Sequence, residues 1–319
     1  MKFAQRKLVL SPMAGITDAP FRYLATNLGA DYAISEMITS QTQLWQSNKT
    51  SLRLKSDFIE QPKIIQIGGA SPQLVVQASQ AAYELGADIV EINMGCPAKK
   101  VCNVLSGSAL LRNEKLVAQI LQETVKAVSI PIYLKTRLGW DEQQQNILTI
   151  AQIAQDAGVK SLTIHGRTRC DFYLGEARYE LIAQVKQLLS IPVFANGDIT
   201  TPQQAYQVLE FTNADGLYIG RGALGQPWLF EQIKTYLTKQ DLITFTSQQK
   251  FKLINHHLNL IHQHYGEPLA LGFARKHIKW YLQANPQLFT QATDELFSQF
   301  AQLTTTKQQL ELFKRWCSF

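Results

Sequence analysis

"PIYLKTRLGWDEQQQNILTIAQIAQDAGVKSLTIHG" spans residues 131–166 and contains one full structural period of the chain. It opens on a short β-rich run (131–137), passes into an amphipathic helical stretch (146–159) and ends in a second β-rich run (160–166). "DAGV" before that second run reads as a helix end turning into the next strand. The same unit recurs on both sides. The other β-rich runs are "KLVLSP" (7–12), "DYAISE" (31–36), "KIIQIGG" (63–69), "DIVEINMG" (88–95), "PVFANGD" (192–198) and "DGLYIGR" (215–221). Eight runs separated by amphipathic helices predict an α/β fold, a parallel (β/α)8 TIM barrel. An open doubly wound sheet is the alternative, but eight regular units fit closure better.

Beyond "TKQDLITFTSQQ" (238–249) the β runs stop, and helical patterns follow at about 248–265, 268–284, 290–302 and 305–316. The expected organisation is a barrel over 1–240 and a small helical bundle domain over 241–319. Charge follows the same division. The chain carries +6 overall, and residues 248–319 hold eight Lys/Arg against four Asp/Glu, whereas the first 247 hold 23 against 21. A basic tail suits a polyanionic partner. No apolar run approaches the ~18 residues of a membrane span, and the N-terminal apolar stretch before Pro12 is short for a signal peptide. Four scattered cysteines make no disulfide framework. A cytoplasmic monomer is expected.

A barrel of this kind gathers its chemistry at the C-terminal strand ends. Alternation along a strand puts Glu91 with Asn93, Lys135 with Arg137, and Thr163 with His165 on one face, with Gln66 at the end of its own run. Ile92, Leu134, Thr136 and Ile164 then face the helices. Polar groups inside a barrel cost free energy unless paired or used. A ring of them at one end reads as a site. The last two runs end in "ANGDITTPQQA" and "GLYIGRGALGQPWLF", where Gly197, Gly220, Gly222, Gly225 and Arg221 suit a phosphate. Tight-turn glycines beside a structural arginine are the other reading. No G-x-G-x-x-G opens a helix after a strand, and there is no P-loop motif, so no Rossmann dinucleotide site is indicated. "SPMAG" offers apolar atoms to a flat ring, and Gln66 and Lys135 offer hydrogen bonds to it, so a phosphate-tailed flavin across the mouth is coherent.

"EINMGCPAKKVCNVLSGSALLRN" (91–113) places Cys96 and Cys102 six residues apart. They could form a metal site, a redox pair, or one working thiol beside a bystander. A redox pair would favour C-x-x-C at a helix start, which this spacing does not provide.

The motifs "SPMAGITDAPFR", "NMGCPAKKV", "LKTRLGW", "IHGRTR", "ANGDI" and "GRGALGQPWLF" resemble those of the tRNA-dihydrouridine synthases, in order and over nearly the whole chain. "GFARKHIKWYL" resembles the bacterial B-type subfamily. The resemblance implies an FMN-containing barrel with a C-terminal helical domain. Such an enzyme reduces the C5=C6 bond of specific tRNA uridines, position 17 of the D-loop in the B-type, with NADPH or NADH as electron source. It implies that Pro12, Met13, Ala14, Gln66, Lys135, His165, Asn196, Gly197, Asp198, Gly220 and Arg221 hold FMN. It puts Asn93 and Arg137 beside the flipped base and makes Cys96 the proton donor. The chemistry agrees with that last role. Hydride arriving at uracil C6 leaves C5 needing a proton, and a thiol of pKa ~8.5 stays protonated yet gives it up readily. Lys99 and Lys100 would steady the RNA strand. Arg167 and Arg169 would meet phosphates or be solvated loop charges.

In the tail, Arg275, Lys276 and Lys279 share one helical arc and would form a basic stripe against tRNA. Phe273, His277, Trp280 and Tyr281 fall opposite, as in any amphipathic bundle helix. Four of six histidines lie in "NHHLNLIHQHYG", with no H-E-x-x-H and no acidic partner until Glu267, and no metal is expected. A flavin barrel acting on a free pyrimidine or enone, and an RNA-binding barrel without activity, are the rival readings.

Overall fold

The computed structural model describes residues 3–55, 58 and 61–316. The strands are β1 (Lys7–Leu10), β2 (Tyr32–Ala33), β3 (Ile38–Thr39), β4 (Ile64–Gly68), β5 (Ile89–Met94), β6 (Ile132–Arg137), β7 (Ser161–His165), β8 (Val193–Asn196) and β9 (Gly216–Ile219). All pair in parallel, in the order β2-β1-β9-β8-β7-β6-β5-β4-β3. A bridge between Ile34 and Ile64 closes the ring, so the sheet is a barrel.

One element departs from the sequence reading. The run expected as one strand over 31–36 is strand only at β2 (32–33), and after a break a second short piece, β3, follows beyond it at 38–39. The reason is local. Ser35 N–H still reaches Ile64 O at 3.1 Å, but its hydroxyl then accepts from Gln66 N–H at 3.0 Å where a backbone carbonyl would sit. Arg53 holds the break from outside, with Nε 2.6 Å from Glu36 and Nη1 2.8 Å from Met37 O.

The helices are α1 (Ala19–Asn27), α2 (Asn48–Leu54), α3 (Pro72–Glu84), α4 (Lys99–Cys102), α5 (Glu114–Ala127), α6 (Ile147–Asp156), α7 (Glu180–Leu188), α8 (Pro202–Thr212), α9 (Leu229–Lys239), α10 (Ser247–Tyr265), α11 (Leu269–Ala284), α12 (Thr293–Gln302) and α13 (Thr306–Trp316). Several starts are written in the same way: Asp18, Ser71 and Thr201 each cap a first turn that contains a proline. The cap oxygen satisfies an orphan N–H, and proline has none to satisfy. Thr246 and Gln249 form a reciprocal capping box at the start of α10.

Between strands and outer helices lies the main core, where Ile92, Leu134, Ile164, Ala195 and Leu217 are fully buried. Inside the barrel, a smaller apolar floor of Val9, Ile34, Ile64, Ile89, Phe194 and Tyr218 closes one end. The helices from α10 onward pack on a separate cluster that includes Phe251, Ile278, Phe300 and Phe313 and also takes Trp228 from just before α9. Gly225 seats α11 on this region. Its φ of +69° is left-handed, and an added Cβ would run into the Trp280 carbonyl and come within 2.8 Å of Ala284 Cβ. Asn285 Nδ2 donates to the Gly225 carbonyl at 2.7 Å. Gly225→Ala is expected to cost on the order of 1–3 kcal/mol and to lower Tm. An unchanged Tm would show that α11 does not depend on this seat.

Candidate functional site

The polar side chains facing the barrel axis form two connected networks above the apolar floor. The first is built on Glu91, fully buried on β5. Its carboxylate accepts from Gln66 Nε2 at 2.7 Å and from the Tyr218 hydroxyl at 2.9 Å. Gln66 Oε1 accepts from Asn93 Nδ2 at 3.0 Å, and Asn93 Oδ1 accepts from the N–H groups of Gly95 (3.2 Å) and Cys96 (3.0 Å). The chain of bonds thus runs from the barrel interior to the backbone of the Cys96 loop. Ser108 holds that loop from the other side, its hydroxyl 2.8 Å and its N–H 3.1 Å from Cys96 O. Cys102 Sγ approaches the same carbonyl at 3.6 Å, and both thiols are free. Burial is the largest influence on the Cys96 thiol and pushes its pKa up, over smaller opposing contributions from the Ala98 N–H, Arg137 and Lys135. It is therefore a protonated acid at neutral pH.

The second network is cationic. Lys135 Nζ donates to Asn196 Oδ1 at 2.9 Å, and Asn196 Nδ2 donates to Tyr218 O at 2.7 Å. Desolvation brings the Lys135 ammonium down to about 8, although Glu91 pulls it upward. Arg137 is fixed through three carbonyls: Nε to Gly95 O and Nη1 to Thr168 O and Phe172 O, each at 2.8 Å. Arg167 is also buried, with Nη1 and Nη2 on the Asp198 carboxylate at 2.9 and 2.6 Å. It is not available to RNA phosphates. Its Nη1 also lies 3.3 Å from His165 Nε2. A guanidinium only donates, so that nitrogen accepts and His165 is neutral with its proton on Nδ1. Burial first, then the surrounding cations, drives the His165 pKa far below its ordinary value.

Asp198 accepts from Arg167, from the Ala177 N–H at 2.8 Å and from Arg221 at 3.3 Å. Burial acts to raise its pKa, but the combined donors outweigh it and hold the carboxyl below the usual range. Asp198 therefore orients arginines. Arg221 remains half exposed, its guanidinium 4.8 Å from the Tyr173 ring, whose other cationic neighbour is Arg137 at 5.3 Å. The loops after β8 and β9 touch closely: a Cβ on Gly222 would collide with the Ile199 carbonyl. Tyr179 donates its hydroxyl proton to the Gly197 carbonyl. After β1, Pro12, Met13 and Ala14 lie in a turn closed by Thr17 Oγ1, which accepts from Met13 N–H at 2.9 Å. Met13 Sδ would be 3.4 Å from a Cβ on Gly220, so this turn borders the end of β9.

The outlying residues separate. Lys276 is exposed and donates to Gly15 O at 2.9 Å, beside a cavity of about 350 Å³ lined also by Ala14, Asp18 and Tyr265. Lys279 is exposed above the Phe297 ring. Arg275 is half buried and donates to Leu303 O at 2.9 Å. Lys99 is exposed on the single turn of α4. Arg169 stacks on Trp140 at 4.6 Å and Phe172 at 4.9 Å. Sequence reasoning did not name Tyr218, gave Glu91 an inward face without a role, and read Arg167 as a phosphate contact or a solvated loop charge. Alternation had already turned Glu91 inward with Asn93, and the same rule applied to "GLYIG" turns Tyr218 inward. Nothing local marks Arg167, whose partner Asp198 is on another loop.

The model of the family described as "Dihydrouridine synthase (Dus)" matches residues 9–316. The chain belongs to the dihydrouridine synthase family. Similar curated proteins include tRNA-dihydrouridine synthase B of Pseudomonas aeruginosa, 48% identical, with 95% of this chain and 90% of that one covered. The protein of the same name from Vibrio cholerae is 46% identical over 89% of this chain and 88% of its own. That from Shewanella oneidensis is 45% identical over 97% and 94%. Among solved structures, histamine dehydrogenase from Rhizobium sp. 4-9 superposes with a TM-score of 0.55 at 11% identity. The match covers 80% of this chain and 49% of that one, a likeness of barrel fold alone.

In this dihydrouridine synthase, Lys135 carries its positive charge below about pH 8 and loses it above. A buried cation at the strand ends stabilises negative charge formed during reaction. Turnover is expected to decline as pH rises through that range. Glu91→Gln removes the anion that raises the lysine pKa, so the decline moves to lower pH. A pH–rate profile identical in the two proteins would exclude the coupling.

Proposed function

We propose that this chain reduces the C5=C6 bond of a uridine in the tRNA D-loop, position 17, to 5,6-dihydrouridine, with FMN as resident flavin and NADPH or NADH as reductant. The observation that carries the reading is the donor set at the barrel mouth. Lys135, Arg137, Arg167 and Arg221 gather there around His165, and Arg167 and Arg221 share the Asp198 carboxylate, with glycine backbone approaching closely at Gly222. That set fits a phosphate-tailed flavin. Gln66, Lys135, His165 and Asn196 would face its ring system; Pro12, Met13 and Ala14 would cover it; and Gly197, Gly220 and Arg221, the last oriented by Asp198, would meet its phosphate. Bound there, the flavin would supply the hydride for uracil C6.

The chain's own residues do the rest. Cys96, held protonated by burial, transfers its proton to C5 and is then recharged from solvent. Asn93 fixes the Cys96 loop by accepting from the N–H groups of Gly95 and Cys96, and keeps one amide hydrogen for the base. Arg137 has Nε and Nη1 committed to carbonyls, which leaves Nη2 for charge building at the uracil oxygen. A stacked base cannot reach a barrel mouth, so the uridine is flipped out, and the protein grips tRNA by shape and backbone.

The reading assigns 1–240 to FMN and catalysis and 241–319 to tRNA binding, in a monomer working in the cytoplasm. Support for the division comes from the separate helical core. No helix among the described residues is long and apolar enough to cross a membrane. Lys276 and Lys279 are the exposed cations of α11, with Lys99 on the mouth side, whereas Arg275 serves the bundle through Leu303 O.

The deciding experiment is dihydrouridine mapping in tRNA from a deletion strain with and without this gene, alongside purified Cys96→Ala. The variant is expected to keep its yellow flavin absorbance and lose uridine reduction. Full activity would exclude Cys96 as the acid. Lys276→Ala with Lys279→Ala should weaken tRNA binding and reduce the salt slope by about 2. Unchanged affinity would place the RNA surface elsewhere.

A further inference from the structure

A buried cluster at the seam between barrel and helices is not used by the chemistry at the mouth. Asp18, the N-cap of α1, meets His257 of α10 and His277 of α11, and one ligand atom from each lies within 4.8 Å of the others. All three residues are buried. The imidazole centroids are 4.5 Å apart at 70°, and the Phe21 ring lies 5.5 and 5.3 Å from them.

The hydrogen-bond inventory shows the deficit. His257 Nδ1 is 2.9 Å from the Tyr281 hydroxyl, which leaves Nε2 as the inward atom. The Nε2 atoms of His257 and His277 are both buried without a hydrogen-bond partner. Asp18 already accepts from the Phe21 N–H and the Tyr265 hydroxyl, each at 3.0 Å. Where Tyr281 accepts Nδ1–H of His257, Nε2 of that ring turns a lone pair into the cluster. A buried ring nitrogen left without a partner is unfavourable. A cation would remove that deficit. Two imidazole nitrogens and one carboxylate oxygen form a recognised zinc donor set with a fourth position left for water. The Tyr281 oxygen behind His257 is the kind of outer partner that fixes ring orientation in such sites.

We propose that Asp18, His257 and His277 bind one divalent transition-metal ion, zinc by donor type, tying the first barrel helix to the helical region. Metal–ligand bonds of about 2.0–2.1 Å require the three atoms to draw in by roughly 1 Å, within reach of side-chain rotation. The stretch "NHHLNLIHQHYG" itself carries no acid. The acid comes from the opposite end of the chain.

The test uses tag-free full-length protein, equilibrated with zinc and then dialysed against metal-free buffer. Mass spectrometry of the metal should find close to one zinc per chain, falling to background in His257→Gln and His277→Gln. Zinc retained by those variants, or absent from the wild type, overturns the site. Because the variants can fail to fold, cobalt titration of chelator-treated wild-type protein decides independently. Saturable visible bands of a tetrahedral nitrogen–oxygen site, with a rise in Tm, support it. A pale octahedral spectrum with no Tm change overturns it.

Discussion

A carboxylate with no solvent exposure sits at the centre of the barrel, and much of the mouth depends on how it is satisfied. Burying Glu91 is costly unless its oxygens are bonded. Gln66 and Tyr218 do this, from β4 and β9, so one side chain ties together strands on either side of the barrel. Gln66 is then unable to turn its amide over, because its carbonyl must face Asn93. Asn93, held in this way, presents Oδ1 to the backbone of Cys96. A thiol on a loop is therefore positioned by a rigid element below it. Removing either partner of Glu91 would leave a buried charge under-satisfied, which costs more than the bond itself is worth.

The cations at the mouth are subject to the same physics in reverse. Desolvation lowers Lys135 and Arg137, and the cations crowded around His165 keep that ring neutral after burial has already favoured the neutral form. Asp198 is what lets two arginines stand close together, since its bonds to Arg167 and Arg221 offset their mutual repulsion. Positive potential is thus concentrated at the ends of β6 to β9, and proton-donating capacity at the end of β5. The two functions are separated across the mouth, so a planar group between them has a charged side and an acidic side.

Period and alternation carried most of the fold into view. Two-residue alternation in "EIN" and "LKTR" assigned the inward faces without any tertiary information, and the capped, proline-started helices are local signals of the same kind. What escaped was decided by contacts distant in sequence. The break in the second strand depends on the Ser35 hydroxyl replacing a carbonyl opposite Gln66, and on Arg53 from α2. "GRTR" looked like two equivalent loop arginines. Only the fold shows that Arg167 is buried on Asp198 whereas Arg169 stacks on Trp140. In the tail, helical spacing grouped Arg275, Lys276 and Lys279 correctly by angle, but angle does not reveal that Leu303 O takes the arginine.

The turn after β1 joins these levels. Residues 12–18 border the end of β9 through Met13 and receive Lys276 at Gly15 O. At their far end they supply Asp18 to the cap of α1, the Tyr265 hydroxyl and the histidine cluster. Burial raises the Asp18 pKa to about 6, against the pull of the Phe21 N–H, Tyr265 and Arg22. A carboxyl so placed is sensitive to any charge brought beside it, because little water is present to screen the field. Movement of α10 or α11 relative to α1 would change its partners before it changed anything at the barrel axis. The segment that borders the end of β9 and the segment that anchors the helices are one stretch of seven residues. Orientation of the basic helix and geometry of the site are therefore set together, through backbone too short to deform independently at its two ends.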